Sequence, residues 1–228
     1  MDWDAIAWVA GGYLAGTLPS TYLVARARRA SAVVTGSRRD ASEGDAHILM
    51  TKHLGGRWSA LAATMDVGKG FAFPLVARSL GGLRPEWVAL VAVAVVVGHG
   101  WPPYARAMAG RGLSTAAGVL LGLLPVAMVI AGVVILVGVV LRYTGPASTI
   151  GLLSAALVAA LRGQPSAYVA MVGAVVVVIM IRRLEGVTAV VRRGRSWPSA
   201  LYHRAVWDTD GPAPAPGRGE RAPSPGRP

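Results

Sequence analysis

The stretch Leu113–Leu141, LSTAAGVLLGLLPVAMVIAGVVILVGVVL, contains no charged side chain and is bounded by Arg111 and Arg142. A helix needs about 20 predominantly apolar residues to cross the hydrocarbon core of a bilayer. Pro125–Leu141 approaches that length, whereas Leu113–Leu124 is only about half of a usual span. The stretch therefore predicts a transmembrane helix that follows a short or half-inserted one.

Further apolar runs lie on both sides of this stretch. They predict spans at Ile6–Ala25, at Trp58–Ala77, from Trp87 to Gly98, at Ala147–Leu161 and at Ala167–Ile181. The polar stretch Ser31–Arg57 predicts a loop at the membrane face. We therefore expect an all-α fold, a polytopic transmembrane helical bundle of about seven membrane segments.

The composition supports a membrane protein. Of 228 residues, 54% are hydrophobic and only 15% are charged, which lies outside the usual range of soluble domains. The net charge of +12 would suit a nucleic-acid partner in a soluble chain, but here the arginines stand between apolar runs and indicate topology. We expect a lipid bilayer as the partner and no nucleic acid. The absence of cysteine excludes disulfides and thiolate metal sites.

The basic residues predict the orientation of the bundle. They cluster at Arg26–Arg39, at Arg106 and Arg111, and at Arg182–Arg195. Such clusters are typical of cytoplasmic segments. If the short helix counts as a crossing, the N-terminus lies outside and the C-terminus inside.

The end of the chain differs from the rest. It contains the Pro- and Gly-rich sequence DTDGPAPAPGRGERAPSPGRP, residues 208–228, which offers almost nothing to bury. We expect a transmembrane domain over residues 1–195 and a largely disordered cytoplasmic tail over residues 196–228.

Two opposite charges fall within the predicted second span. Asp66 and Lys69 are three positions apart and so share one helix face, where they can neutralise each other. Charges in membrane segments are costly and normally face the interior of a bundle or a polar cavity. The pair is either a structural ion pair that holds this helix to its neighbours or part of a functional site.

Polar groups that suit an anion recur at the ends of the predicted spans. Glycines on both sides of Arg111 would let backbone N–H groups approach a phosphate, although the same turn could simply carry a topology-marking arginine. His47 and His53 have no metal-ligand pattern and are interpreted as ordinary loop histidines. Further hydroxyls and bases would suit a phosphorylated ligand or lipid headgroups, namely Ser37, Ser42, Lys52, Ser148, Thr149, Arg182 and Arg183.

The order and spacing of five short motifs resemble a known family. The motifs are Gly16-Thr17-Leu18-Pro19-Ser20, Asp66-Val67-Gly68-Lys69-Gly70, Gly98-His99-Gly100-Trp101-Pro102, Gly110-Arg111-Gly112-Leu113-Ser114-Thr115 and Ser148-Thr149-Ile150-Gly151. Together they resemble the bacterial acyl-phosphate:glycerol-3-phosphate acyltransferases, the PlsY family, over residues 8 to 195. The joint spacing is far more specific than any single motif.

The chain also departs from the family pattern. The family's first loop carries Ser-x-Asn-x-Gly-x-Thr-Asn-x-x-Arg; counting back from Gly55 places Ser42 at its serine and Lys52 at its arginine, whereas counting forward from the first span places Ser37 there. Both alignments lack the asparagines. Of the family's last motif, Arg-His-x-x-Asn, only Arg182 is retained. Arg111 stands where the family has lysine, and the two cations differ in shape and donor geometry.

The resemblance implies an enzyme of the bacterial inner (plasma) membrane. It would transfer a fatty acyl group from acyl phosphate to the sn-1 hydroxyl of glycerol 3-phosphate in phospholipid synthesis, without a metal or other cofactor. His99, as base or donor, and Arg111 would be catalytic. The implied substrate-binding residues are Ser37, Ser42, Lys52, Gly110, Gly112, Thr115, Ser148, Thr149 and Arg182, with Arg111, Lys52 and Arg182 holding phosphates.

Two alternatives remain open at this point. The eroded motifs would suit a catalytically degraded paralogue that binds lipid phosphates or a partner. A small transporter is a further alternative, in which Asp66 and Lys69 would be ion-coupling groups.

Overall fold

The computed structural model describes residues 2–36, 46–104, 110–141 and 143–207 of the chain. Within these ranges every regular element is helical and no strand is present. The helices are α1 Trp3–Gly16, α2 Ser20–Ala27, α3 Ser31–Gly36, α4 Ala46–Leu54, α5 Gly56–Ser79, α6 Pro85–Gly100, α7 Leu113–Leu123, α8 Pro125–Val140, α9 Thr144–Leu161, α10 Ser166–Leu184, α11 Val187–Arg192 and α12 Trp197–Tyr202, followed by a π-helical turn at His203–Trp207.

The apolar runs from residue 58 onward are helices, as predicted. Helix α7 has only 11 residues, which agrees with the predicted half-length segment. Among the described residues, α5 and the helix that begins at Ser166 are long and apolar enough to cross a membrane, and four shorter apolar helices accompany them. The number of crossings and their orientation stay predictions.

The first predicted span is not one helix. The apolar run Ile6–Ala25 forms α1 and α2, which are separated at Thr17, Leu18 and Pro19. Proline lacks a backbone N–H and disfavours helical geometry in the residue before it, so the hydrogen-bond ladder stops here. The break leaves the carbonyl of Leu18 available to a side chain from another helix.

The prediction of a loop over Ser31–Arg57 is wrong for the part of it that the structure describes. Helices α3 and α4 lie here, and they bury Val34, Ala46 and Met50 against α2 and α5. Apolar side chains recur on one face of α4 even though the segment as a whole is polar. This face packs against Trp58 and Ala62 in the first half of α5.

The helical structure continues past the expected domain boundary at residue 195. Helix α12 and the turn after it return to the start of α9, where the Trp207 ring stacks on Tyr143 with 5.2 Å between centroids. The carbonyls of Ala205 and Val206 lie against Gly145. The segment expected as tail therefore begins with packed helix, and residues 208–228 lie outside the described residues.

The core lies between α6, α7, α9 and α10, where Val96, Val119, Leu152 and Val175 are buried together. One face of α8 is exposed instead: Val129, Leu136 and Val140 are between 63% and 73% exposed. An apolar surface of this kind is unfavourable in water and suits contact with lipid chains.

Close backbone contact joins α5 to α7. Gly70 lies directly against the carbonyl of Thr115, and Gly118 lies directly against the carbonyl of Val67. Small residues at such crossings allow two helices in a membrane to approach and gain van der Waals contact. This crossing fixes the middle of α5 relative to the beginning of α7.

Replacing Gly70 by alanine should destabilise the bundle, because the new methyl group would overlap the Thr115 carbonyl. A cost of about 1–3 kcal/mol is typical of overpacking. Gly68→Ala on the same helix is the matched control, since its Cβ meets no atom within 4 Å. Thermal unfolding in detergent checks this: equal unfolding temperatures for the two variants would contradict the close crossing.

Candidate active site

Several helix ends meet at one end of the bundle. Tyr13 of α1 donates a hydrogen bond to the carbonyl of Trp101, just after α6, over 2.8 Å. Thr17 and Tyr104 join the same two regions through their hydroxyls at 2.9 Å. The Nε of Arg182 near the end of α10 donates to the carbonyl of Gly110, just before α7, over 3.2 Å. These contacts gather the predicted motifs in one place.

A buried carboxylate lies at the centre of this region. Asp66 is 1% exposed, and its Oδ1 accepts hydrogen bonds from Ser20 Oγ at 2.7 Å and Lys69 Nζ at 2.8 Å. His47 Nε2 lies 3.1 Å from Oδ2. The expected pairing of Asp66 with Lys69 is present, but the pair is part of a larger polar network.

Lys69 extends this network to a second histidine. Its Nζ lies 2.9 Å from His99 Nδ1 and 2.9 Å from the carbonyl oxygen of Leu18. The same His99 nitrogen is 3.4 Å from Asp66 Oδ1. Leu18 contributes here only because Pro19 interrupts the first helix.

His47 is the site residue that sequence reasoning missed. The interpretation as an ordinary loop histidine is wrong, because His47 lies on α4 and contacts Asp66. The available signal was the helical spacing of His47 and Met50, which places the histidine beside a buried apolar residue. That signal is weak when the surrounding segment is polar.

A small cleft adjoins the network. Between the described residues it encloses room on the order of a single water molecule. Its wall includes Thr17, Ser20, His47, Asp66, His99, Pro102 and Gly110. Within the described part of the chain, no group of three or more His, Cys, Asp and Glu side chains could hold a metal ion.

The turn before α7 is shaped by its glycines. A methyl group at Gly110 would overlap the imidazole of His99, so this position requires glycine if the histidine is to stay where it is. Gly112 has a φ of 90°, a left-handed conformation that disfavours other residues. Arg111 between them is half-buried and directly precedes the positive end of a helix dipole.

The hydroxyls at the start of α9 meet Arg183 rather than Arg182. Arg183 is 3% exposed, and its guanidinium donates to Ser148 Oγ at 2.7 Å and to the carbonyl of Gly145 at 3.0 Å. It also lies 3.4 Å from Thr149 Oγ1. The positive charge of Arg111 acts on this guanidinium. One buried cation and two hydroxyls thus come together here, within electrostatic range of Arg111.

Arg182 has a different environment. Its guanidinium pairs with Glu185 and lies 5.3 Å from the ring centroid of Trp101. Trp101 in turn donates to Glu185 over 2.6 Å. Glu185 therefore reduces the charge that Arg182 could offer to a phosphate.

The remaining predicted residues are spread more widely. Lys52 is exposed and follows His47 by five positions, so the two side chains point about 140° apart around the axis of α4. Thr115 is fully buried between helices, and its hydroxyl has no hydrogen-bond partner among the described residues. Ser37 and Ser42 lie outside the described residues.

Comparison with known proteins identifies the family. The sequence model described as "Glycerol-3-phosphate acyltransferase" matches residues 6–193. The chain belongs to this family. It is 35% identical to the glycerol-3-phosphate acyltransferase of Rubrobacter xylanophilus over 159 residues, which is 69% of this chain and 77% of that protein. It is 31% identical to the enzyme of Halalkalibacterium halodurans over 186 residues, 78% of this chain and 88% of that one.

Solved structures agree with this assignment. Crystal structures of PlsY (YgiH), an integral membrane glycerol 3-phosphate acyltransferase, match with TM-scores of 0.68 in the lysophosphatidic acid form and 0.69 in the glycerol 3-phosphate form. Each is 26% identical, and the alignments cover 82% of this chain and 92% of the other. Together with the apolar helices, this likeness places the chain in a membrane.

The Asp66–Lys69 pair should respond differently to single and double neutralisation. Asp66→Asn or Lys69→Met alone leaves one buried charge without its counterion, which typically costs about 3–5 kcal/mol. The double variant removes both charges and should be recovered in folded form in larger amounts than either single variant. Size-exclusion yield and unfolding temperature in detergent measure this.

Asp4→Asn is the control for that experiment, because Asp4 is an exposed carboxylate on α1. It should leave both readouts unchanged. A double variant less abundant than each single variant would show that mutual neutralisation does not govern the pair.

Proposed function

We propose that the chain is a membrane acyltransferase that transfers a fatty acyl group from acyl phosphate to the sn-1 hydroxyl of glycerol 3-phosphate. The observation that carries this proposal is the buried hydrogen bond between Arg183 and Ser148, within electrostatic range of Arg111, in a member of this family. Acyl phosphate as the donor is supported by the motif resemblance described above.

The arginines suit a phosphate for electrostatic reasons. Two guanidinium groups that act on each other repel, and a phosphate between them would turn this repulsion into attraction for both. The beginning of α7 adds backbone N–H groups and the positive end of its dipole. Arg183 takes over the role expected of Arg182, whose charge is engaged by Glu185.

This arrangement supports acyl transfer in a direct way. As the glycerol 3-phosphate hydroxyl forms an ester with the acyl carbon, the bond from that carbon to the phosphate oxygen breaks and the hydroxyl proton passes to a phosphate oxygen. Negative charge then accumulates on the departing phosphate, and Arg111 and Arg183 would stabilise it. Binding both substrates in one place supplies the necessary proximity.

An apolar cleft next to α7 suits the acyl chain. It begins at Leu113 and Ser114, close to Arg111 in sequence, and continues along α8 past Gly132 and Ile135. An acyl phosphate could place its charged end at the arginines and its chain in this cleft. Exposed apolar side chains of α8 adjoin it, so the tail of the chain could continue into lipid.

The site would face the cytoplasm of a bacterial cell, in a multi-pass protein of the inner membrane with its N-terminus outside. The support for this orientation is the accumulation of arginines at the same end of the bundle as the proposed site. The group includes Arg182 and Arg183 near the end of α10, Arg192 at the end of α11 and Arg193 directly after it.

A second candidate function is a degraded paralogue that binds lipid phosphates without turnover. The observation that favours it is the Glu185–Arg182 pair, because Arg182 is the one retained residue of the family's last motif. Both candidates require a phosphate site, and they differ in catalysis.

Arg111→Ala and Arg183→Gln should each lower acyl transfer on the order of 100-fold, the usual cost of removing a group that stabilises a developing anion. Arg111→Lys, which restores the family's residue, should keep or raise the rate. Arg192→Ala is the control, because it removes an exposed arginine near the same end of the bundle. The assay is turnover of acyl phosphate with glycerol 3-phosphate by purified protein.

Binding measurements separate the two candidates. If the folded parent protein has no affinity for glycerol 3-phosphate or acyl phosphate, the phosphate site is wrong. If it binds both but does not turn them over, the degraded paralogue is correct. Equal turnover by the parent and Arg111→Ala would leave Arg111 as a topology marker only.

Filling the apolar cleft should change the acyl-chain preference. The Cβ position of Gly132 meets only the end of Met128, at 3.9 Å, so a leucine there would project into open space in the cleft. Gly132→Leu should favour shorter acyl phosphates. Val133→Leu, at an exposed position on the same helix, is the control. An unchanged ratio of short-chain to long-chain turnover would contradict this location for the acyl chain.

A further inference from the structure

The hydrogen-bond capacity of Lys69 limits what His99 can do. An ammonium group has three N–H donors and no lone pair. Around Lys69 Nζ there are three acceptors: Asp66 Oδ1 at 2.8 Å, the carbonyl oxygen of Leu18 at 2.9 Å and His99 Nδ1 at 2.9 Å. The number of donors therefore equals the number of acceptors.

The contact with Lys69 requires that His99 Nδ1 accept a hydrogen bond, because the ammonium cannot accept one. A neutral imidazole with an unprotonated Nδ1 carries its proton on Nε2. The alternative, an Nδ1–H that donates to Asp66 Oδ1, would need a 3.4 Å bond, longer than the usual 2.7–3.2 Å, and would direct that hydrogen toward an ammonium group. An imidazolium would add charge repulsion to the same conflict.

Nε2 of His99 lies on the side of the ring that faces the turn before α7. His99 Nε2 is the ring atom nearest to the position that a Cβ on Gly110 would occupy, and Gly110 directly precedes Arg111. The ring also borders the small cleft beside Gly110. The Nε2–H group is thus directed away from the carboxylate and toward the turn before α7.

We propose that Lys69 is a positioning residue that fixes His99 in its Nε2-protonated form, so that His99 donates a hydrogen bond to the substrate phosphate or acyl oxygen. The substrate half of this statement rests on the proposed function. His99 then serves as a donor and not as a general base, which selects one of the two roles left open by the sequence. It also explains why a cation is retained beside a histidine: the lysine holds the tautomer.

The tautomer is measurable in the parent protein without substrate. Nitrogen-15 NMR of histidine-labelled protein in detergent or nanodiscs, with His99 assigned through His99→Gln, reports which ring nitrogen carries hydrogen. We expect an unprotonated Nδ1 and a protonated Nε2. A neutral ring protonated at Nδ1, or a doubly protonated ring at neutral pH, would overturn the proposal whether or not the protein is active.

The effect of Lys69 on the tautomer is tested with a double variant, because removing Asp66 together with Lys69 leaves no unpaired buried charge. In Asp66→Asn/Lys69→Met the donor to Nδ1 is gone, and we expect His99 to become a mixture of tautomers. Lys69→Arg keeps Asp66 and a cationic N–H donor beside it, and should keep the single tautomer. If the double variant also keeps a pure Nε2-protonated ring, Lys69 does not set the tautomer and the proposal fails.

Substitution of His99 separates donor from base by turnover. Glutamine can place an amide N–H near the position of Nε2 but cannot accept a proton as a base, whereas alanine can do neither. We expect His99→Gln to retain most of the parent kcat and His99→Ala to lose on the order of 100-fold, with little change in KM for glycerol 3-phosphate. Equal losses in both variants would overturn the donor role. A parent protein without turnover would reject the proposed function and leave the tautomer to the NMR result.

Discussion

The need to satisfy one buried carboxylate governs the arrangement of this bundle. Asp66 lies in the middle of an apolar helix, where an isolated charge would be very costly. Its donors come from three separate elements, Ser20 at the start of α2, His47 on α4 and Lys69 on α5 itself. The break at Pro19 is part of the same solution, since it frees the backbone carbonyl that completes the coordination of the lysine. Features that look like local irregularities therefore serve one electrostatic requirement.

Helix packing transmits this arrangement to the proposed phosphate site. Gly70 follows Lys69 directly and lies against the carbonyl of Thr115, four positions after Arg111. Side chains larger than hydrogen at this crossing would move α7, and with it Arg111, away from the network around Asp66. Gly110 acts in the same way for His99, since its missing side chain leaves room for the ring. The glycines thus set distances between charged groups that they do not themselves contact.

Much of this fold could be predicted from the sequence, because long apolar runs and interrupting prolines act locally. Helices α5 to α10 follow from such runs, and the short length of α7 follows from Pro125. The segment around α4 could not be predicted in the same way. Its polar composition conceals one apolar face, and that face is recognisable only when α2 and α5 are in place to cover it. His47 was missed for this reason, since its partner Asp66 is distant along the chain and adjacent only in the fold.

Motif matching could not predict which of the neighbouring arginines of α10, Arg182 or Arg183, would contact Ser148. Adjacent residues on a helix point about 100° apart. A cation at position 183 therefore contacts different neighbours from a cation at position 182. Sequence spacing selected Arg182 because it aligns with the family's arginine, yet that side chain extends toward Trp101 and pairs with Glu185. Arg183 instead is turned into the bundle, where it donates a hydrogen bond to Ser148 within electrostatic range of Arg111. In the proposed function the phosphate-binding role belongs to Arg183, because the cation of the motif has an acidic partner, and only the direction of the side chains distinguishes the two arginines.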